Sequence, residues 1–299
     1  MQQHIQRSSA VSSILAEVET VCKQQNIDQI KCGPRPQYKD SFIIGLIVIK
    51  NLLGMNSESS YLRYLAKHHG DVFITLPERS WFNRKCRNLQ PTATKLQQVF
   101  AAELSDVEFK IVDSTPVPVL KPYKGNNSPC FPRGKKTNYG YCASKKEYYY
   151  GAKLSLIMTP EGVITEVGIH AANTADINAL RDMLSGMDIT KLKLIGDKGY
   201  YDGELRATLK HQKGRLVVPD KKRHHRFNTK QDKRLLKKRS IVETVNGQLK
   251  EHMRIAETLA QSYQGLLTRL WGALLAFTFG QIYNLQHDRP LLSIKSILI

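Results

Sequence analysis

Acidic residues are scarce in this 299-residue chain. Only 26 Asp or Glu stand against 45 Lys or Arg, giving a formal net charge of +19 and a pI near 9.7. A small soluble domain needs a net charge of only roughly 2–8 in magnitude, so the excess implies a polyanionic partner, either nucleic acid or an anionic membrane. Cysteine patterning is lacking as well. The five cysteines (Cys22, Cys32, Cys86, Cys130 and Cys142) are odd in number and include no Cys-x-x-Cys pair. That excludes a zinc ribbon or a dithiol redox motif and predicts reduced, buried thiols. There is no long uncharged apolar run. The most apolar stretch, residues 266–285, contains Arg269, with Gln281 and Asn284 near its end, whereas a membrane-spanning helix needs roughly 20 predominantly apolar residues. It reads as a buried core helix. The opening MQQHIQRSSA has no apolar core of a secretory signal. With the membrane set aside, nucleic acid is the expected partner and the cytoplasm, on the nucleoid when bound, the expected place. Nucleotide loops are missing too. Pro129 stands where a phosphate-binding loop ending at Gly134-Lys135 needs its first glycine, and Gly196, Gly199 and Gly203 do not make Gly-x-Gly-x-x-Gly. The pairs His68-His69 and His224-His225 lack zinc-like partners. No small-molecule substrate is indicated.

The chain does have the composition of a folded protein, 41% hydrophobic and 24% charged, which excludes disorder and suggests one or two domains. Residues 1–104 read as helical. Val11, Ile14, Leu15, Val18 and Val21 fall at helical spacing, and helices are predicted at 42–53, 57–65, from about Ser80, and over 92–104 after Pro91. A short helix, a turn and a basic helix bearing Arg84, Lys85 and Arg87 suggest a helix-turn-helix-like DNA-binding domain; a solvated helix face is the other reading of those three cations.

From about residue 105 to 290 the pattern becomes α/β. Strands are predicted at 108–115, 148–158, 163–171, 191–197 and 215–219, with the second and third joined as an antiparallel hairpin through Pro160-Glu161-Gly162. Asp176 and Asp202 are expected to cap helices, residues 231–254 to form one long helix, and residues 265–286 a closing helix before a tail at 291–299. The expected fold is a mixed sheet with flanking helices, preceded by an all-helical N-terminal domain.

Three acids stand out by position. Asp113 ends the first strand, Asp197 ends the fourth, and Glu243 lies in the long helix. Ends of neighbouring strands can bring two carboxylates together, and a helix crossing that edge can add a third. Converging carboxylates repel unless cations lie between them, and hard oxygen donors suit Mg²⁺ or Mn²⁺. Two such ions would clamp the oxygens of an in-line phosphoryl displacement. Each acid alone could equally be a turn or cap residue. The surroundings favour the first reading. Residues 210–254 hold fifteen Lys or Arg against four Asp or Glu, a local net of +11. Arg239 stands one turn before Glu243 and Lys250 two turns after, with Asn246 between, so that helix face offers phosphate-holding groups around an acid. A salt-bridged surface helix is the plainer alternative.

These residues resemble the DDE transposases of bacterial insertion sequences, and more narrowly the branch whose type element is numbered nine hundred and eighty-two. Asp113 in VDSTPV matches the first acid of that family, and Asp197 in GDKGYYD the second. Arg239, Glu243 and Lys250 match its Tyr-x2-Arg-x3-Glu-x6-Lys signature in order and spacing; Leu236 stands at the Tyr position, so no tyrosine role carries over. The resemblance implies a ribonuclease-H-like catalytic domain, two divalent metal ions per site, cleavage of double-stranded DNA at element ends, strand transfer into target DNA, and a homodimer in the DNA complex. Lys198 beside Asp197, and Lys153 on the second strand, are further candidates for phosphate contact, though either could face solvent. Asn173 and Asp176 could support the site. The basic, tyrosine-rich stretch from Lys135 to Tyr150 could grip unpaired bases or pack on the sheet. Two other readings of the same residues are a nuclease without strand transfer and a non-catalytic DNA-binding regulator.

Overall fold

The computed structural model describes residues 2–28, 36–104, 109–128, 130–131, 138–142, 145–220, 228–258 and 260–298. Cys32, Pro34, Glu108, Pro129, Lys135, Lys136, and the basic run at 221–226 with its His224-His225 pair lie outside the described residues. In chain order the helices before the sheet are α1 (Gln2–Gln24), α2 (Asp40–Leu52), α3 (Glu58–His68), α4 (Arg79–Asn88) and α5 (Gln90–Leu104). Then come β1 (Phe109–Leu120), β2 (Tyr139–Cys142), β3 (Glu147–Met158), β4 (Ile164–Ala171), α6 (Asp176–Leu184), β5 (Lys193–Ile195), α7 (Gly203–His211) and β6 (Arg215–Val217). The chain ends with α8 (Lys230–Lys237), α9 (Ile241–Gly247) and α10 (Tyr263–Gln286). It divides into two compact units, Met1–Phe100 with Gln248–Ile299, and Ala101–Gly247. This division departs from the expected boundaries at 104 and 290, because α10 clusters with the N-terminal helices.

The helical unit is built on two helices that are apolar all round. Such a helix has no face to give to water and becomes a core. In α2, Ile43, Ile44, Leu46, Ile47, Val48, Ile49 and Leu52 are all buried, and α10 is buried along most of its length. Gly272 of α10 lies against Ile47 and Asn51, so the two helices meet closely. Val11, Ile14, Val18 and Cys22 form the buried stripe of α1, and Gly45 admits it: a Cβ there would come within 2.6 Å of Leu15. As expected, residues 266–285 serve as a core helix, and no helix among the described residues is long and apolar enough to cross a membrane. Cys22, Cys86 and Cys130 are buried free thiols. Pro91 does not interrupt; it sits in the first turn of α5, where its missing N–H costs no helical bond. Ten residues, 69–78, separate α3 from α4, against the three or four of a tight helix-turn-helix.

Among the described residues the α/β unit forms a six-stranded mixed sheet. Its order is β2-β3-β1-β5-β6, with β4 paired to β3 beyond β2. β3 runs antiparallel to its neighbours β1, β2 and β4, and β5 and β6 run parallel to β1. This is the ribonuclease-H-like arrangement, with helices on the sheet. The hairpin of β3 and β4 forms as expected. Val112, Ile157, Leu194 and Leu216 of the sheet pack with Leu180 and Leu184 of α6 and Leu205 and Leu209 of α7. β1 runs five residues past its expected end, through Pro116 and Pro118. Proline breaks a ladder only where its missing N–H is needed, and β5 pairs only residues 109–111, so β1 has a free edge there.

Residues 231–254 do not form the single helix expected. α8 passes through a 3₁₀ turn (Lys238–Ser240) into α9 and then a π-helical turn, Gln248–His252. Like charges one turn apart weaken a helix, and here Lys230 faces Arg234, Lys233 faces Lys237, and Arg234 faces Lys238. What secures α8 is its start. Thr229 and Asp232 form a reciprocal capping box, and the buried Asp232 carboxylate also accepts from Arg215 of β6.

Candidate active site

Strand register builds the site. In the parallel pair of β1 and β5, Ile111 is level with Ile195. Asp113 lies two residues further along β1 and Asp197 two residues past the end of β5, so both acids follow the carboxyl end of the paired stretch, close enough for the charge of Asp197 to act on Asp113. β1 is also where the sheet changes direction, with β3 on one side and β5 on the other. Open sheets place their sites at such a switch point.

Asp113 is largely buried, its side chain 18% exposed. Its Oδ2 accepts a hydrogen bond from Asn246 Nδ2 at 2.9 Å, and Arg239 Nη2 lies 3.7 Å from Oδ1. Burial pushes the carboxyl up to about 6; Arg239 opposes that, the charge of Asp197 adds to it, Asn246 opposes it, and Asp176 adds to it. Asp197 is extended backbone at the start of a 3₁₀ turn, Lys198–Tyr200, and its Oδ1 accepts from the Gly199 N–H at 2.7 Å.

Asp176 belongs to this cluster. The expectation that it caps α6 is corrected: Ala175 is the cap residue, and Asp176 is the first helical residue. Its Oδ1 accepts from Ser114 Oγ at 2.6 Å and from Lys153 Nζ at 2.8 Å. A Cβ on Gly199 would touch both Asp197 Oδ1 and Asp176 Oδ2, which puts both carboxylates beside that glycine. Lys153 thus points toward the acids, and it also donates to Thr174 O at 2.6 Å. Tyr200, beneath the turn, is buried, and burial raises its phenol. Ser114 and Tyr200 were not foreseen; their signal was adjacency, one residue after Asp113 and three after Asp197.

Glu243 is exposed on α9. Arg239, one turn before it, and Asn246, one turn after, both reach Asp113, so Arg239 is paired with Asp113 rather than with Glu243. Among the described residues no three His, Cys, Asp or Glu side chains are gathered closely enough to hold a metal ion. The fit to a cation is that of two acids: Asp113 and Asp197 are hard oxygen donors at one sheet edge, and burial disfavours the charge on Asp113 that a cation would restore. Lys198 is exposed beside Asp197, and Asn173 is exposed in the turn before α6. Lys250 lies in the π-helical turn, in the other compact unit. Of the α4 cations, Arg84 and Arg87 are exposed, while Lys85 forms an ion pair with Asp40 of α2 at 2.6 Å.

The family described as Transposase DDE domain matches residues 106–279, more than half of the chain and including Asp113, Asp197 and Glu243. The chain belongs to the DDE transposase family. Among solved structures, this transposase is similar to a cryo-EM structure of a piggyBac transposase synaptic complex with hairpin DNA. The TM-score is 0.50 at 10% identity, over 99% of this chain and 78% of that one. That likeness is one of fold. No curated protein matches the chain.

Proposed function

We propose that the chain is an insertion-sequence transposase that cleaves DNA at the ends of its element and joins those ends to target DNA. The observation that carries this reading is the parallel pairing of β1 with β5, which brings Asp113 of β1 and Asp197 just past β5 to the same edge, in a chain of the DDE family. Asp113 and Asp197 would hold divalent metal, Mg²⁺ or Mn²⁺, with Glu243 completing the set once brought inward. Bound there, two such ions supply charge stabilisation to the attacking and leaving oxygens of a phosphodiester. The chain's own residues do the positioning. Arg239 and Asn246 hold Asp113 in place. Asp176 fixes Ser114 and Lys153 at the same edge. Lys198 and Lys153, and Lys250 further along the chain, are suited to phosphate oxygens, as are the exposed Arg84 and Arg87 to the DNA backbone. Two element ends processed together call for a homodimer on DNA. The narrower placement, in the branch of the type element numbered nine hundred and eighty-two, rests on the spacing of Arg239, Glu243 and Lys250.

The test supplies duplexes carrying the element ends to the full chain with Mg²⁺. The parent should nick at the ends, and Asp197→Asn should bind the same duplex without cutting it. Cleavage by that variant at the parent rate overturns the site. Cleavage by the parent without joining of pre-cut ends to a plasmid would make the chain a nuclease of the same fold.

A further inference from the structure

Large apolar side chains that stand exposed are few. Among the described residues they are Ile74, Tyr123, Tyr141, Tyr148, Tyr263 and Leu285. Three of the six lie together around one hairpin. Tyr139 is paired across the strands with Tyr150, and Tyr141 with Tyr148. Directly opposed residues, and residues two apart, share a face of a sheet, so the four rings form one ladder. Its two ends are treated differently. The inner pair is packed: Tyr139 and Tyr150 meet edge-on at 4.9 Å, Phe131 closes on Tyr150 at 5.6 Å, and the 3₁₀ turn Pro122–Asn127 lies against them, with Tyr139 donating to Pro122 O. The outer pair is 55% and 68% exposed, with ring centroids 5.1 Å apart and planes tilted by 57°. The ladder therefore continues past the point where the fold has any use for it.

The charged residues of the hairpin next to the outer pair are mainly basic. Lys145 and Lys146 end the turn between β2 and β3, and Lys121 and Lys124 flank the exposed Tyr123, with Lys124 over its ring at 5.8 Å. Glu147 is the acid among them and lies near Lys145, at 4.0 Å. Flat rings open to water beside cations suit the bases and phosphates of an unpaired nucleic-acid strand, since stacking needs an accessible π-face and the backbone needs neutralising. In β3, Tyr148 is eight residues from Leu156, the partner of Asp113. At about 3.3 Å per residue that is roughly 26 Å, so the contact falls several nucleotides from the acids.

We propose that Tyr141 and Tyr148 form a stacking site for an unpaired stretch of DNA, with Lys145, Lys146 and Lys124 on its phosphates. The inference takes the DNA partner from the transposase reading but does not depend on catalysis by the acids. Binding of a short single-stranded oligonucleotide and of its duplex to the full chain is measured by anisotropy in EDTA, where cleavage plays no part. The Tyr141→Ala/Tyr148→Ala variant should lose about ten-fold or more in single-strand affinity while duplex affinity changes by less than about two-fold, and Tyr141→Phe/Tyr148→Phe should bind as the parent does. Both Tyr141 and Tyr148 are exposed, so far-ultraviolet dichroism and melting should stay at parental values. Unchanged single-strand affinity in the Ala variant, or an equal loss for duplex, overturns the proposal. So does a change of sedimentation without a change of oligonucleotide binding, which would make the tip a protein contact. Asp197→Asn should bind both strands as the parent does, so failure of the catalytic reading would leave this result standing.

Discussion

Asp113 carries a carboxylate that the fold would hold more comfortably as an acid. Its value of about 6 lies above the ordinary 3.8, so between roughly pH 4 and 6 the native chain binds this proton more tightly than the unfolded chain does. Stability therefore falls as pH rises through that window, and the penalty is complete by neutral pH. Asp113→Asn should accordingly raise stability by about 1–2 kcal/mol near pH 7, a gain that disappears below about pH 4; melting curves without divalent ions at both pH values check it, and identical curves at neutral pH contradict it. Asp176 is a positioning residue. Releasing Ser114 and Lys153 by Asp176→Ala should slow single-turnover cleavage about 10–100-fold, the usual effect of a support removed from behind a ligand, with duplex affinity unchanged. The two acids were legible in the sequence because each follows an apolar strand run, although Asp113 lies inside β1, which continues to Leu120, and only Asp197 follows the end of its strand. The role of Asp176 was not. Its position reads equally well as a cap, and only the pairing of β1 with β3, and of β3 with β4, brings Ser114 and Lys153 to its carboxylate.

At the scale of elements, apolar periodicity located most helices and five of the six strands. What it missed has local physical causes. β2 is four residues long and carries two glycine or cysteine positions among its tyrosines, too short a run to read alone. The extension of β1 past Thr115 depends on an edge left free by the shortness of β5. The break-up of residues 231–254 lies in the turns at Lys238–Ser240 and Gln248–His252, where the backbone leaves the α-helical repeat that apolar spacing assumes. Two substitutions test these elements. Asp232→Ala removes both the capping box of α8 and the partner of Arg215, and should cost about 3 kcal/mol in denaturant unfolding; a loss under about 1 kcal/mol would show that α8 is held by something else. Gly151→Ala would set a Cβ 2.0 Å from the Val117 carbonyl, and should destabilise by about 1–3 kcal/mol through displacement of β1.

For the whole molecule, the excess of positive charge acquires a position. Of the net +19, +11 lies in residues 210–254, and Lys230, Lys233, Arg234, Lys237 and Lys238 are exposed just ahead of α9 and its Glu243. Cations that neutralise phosphates release counterions, at about 0.9 per contact in the slope of log K against log salt. Neutralising Lys233, Arg234 and Lys237 to Gln should reduce that slope by about 2–3, and an unchanged slope would place the DNA elsewhere. The division into compact units was the least legible feature. The sequence places residues 248–286 next to the catalytic motifs, but an all-round apolar helix goes to the unit that can bury it. The most direct test of the central claim, a DNA strand-transfer site on Asp113 and Asp197, is the joining of pre-cut element ends to a plasmid. The parent chain should join them with Mg²⁺ present, and neither the parent in EDTA nor Asp197→Asn with Mg²⁺ should do so. Joining by Asp197→Asn at the parental rate, or by the parent in EDTA, would contradict it.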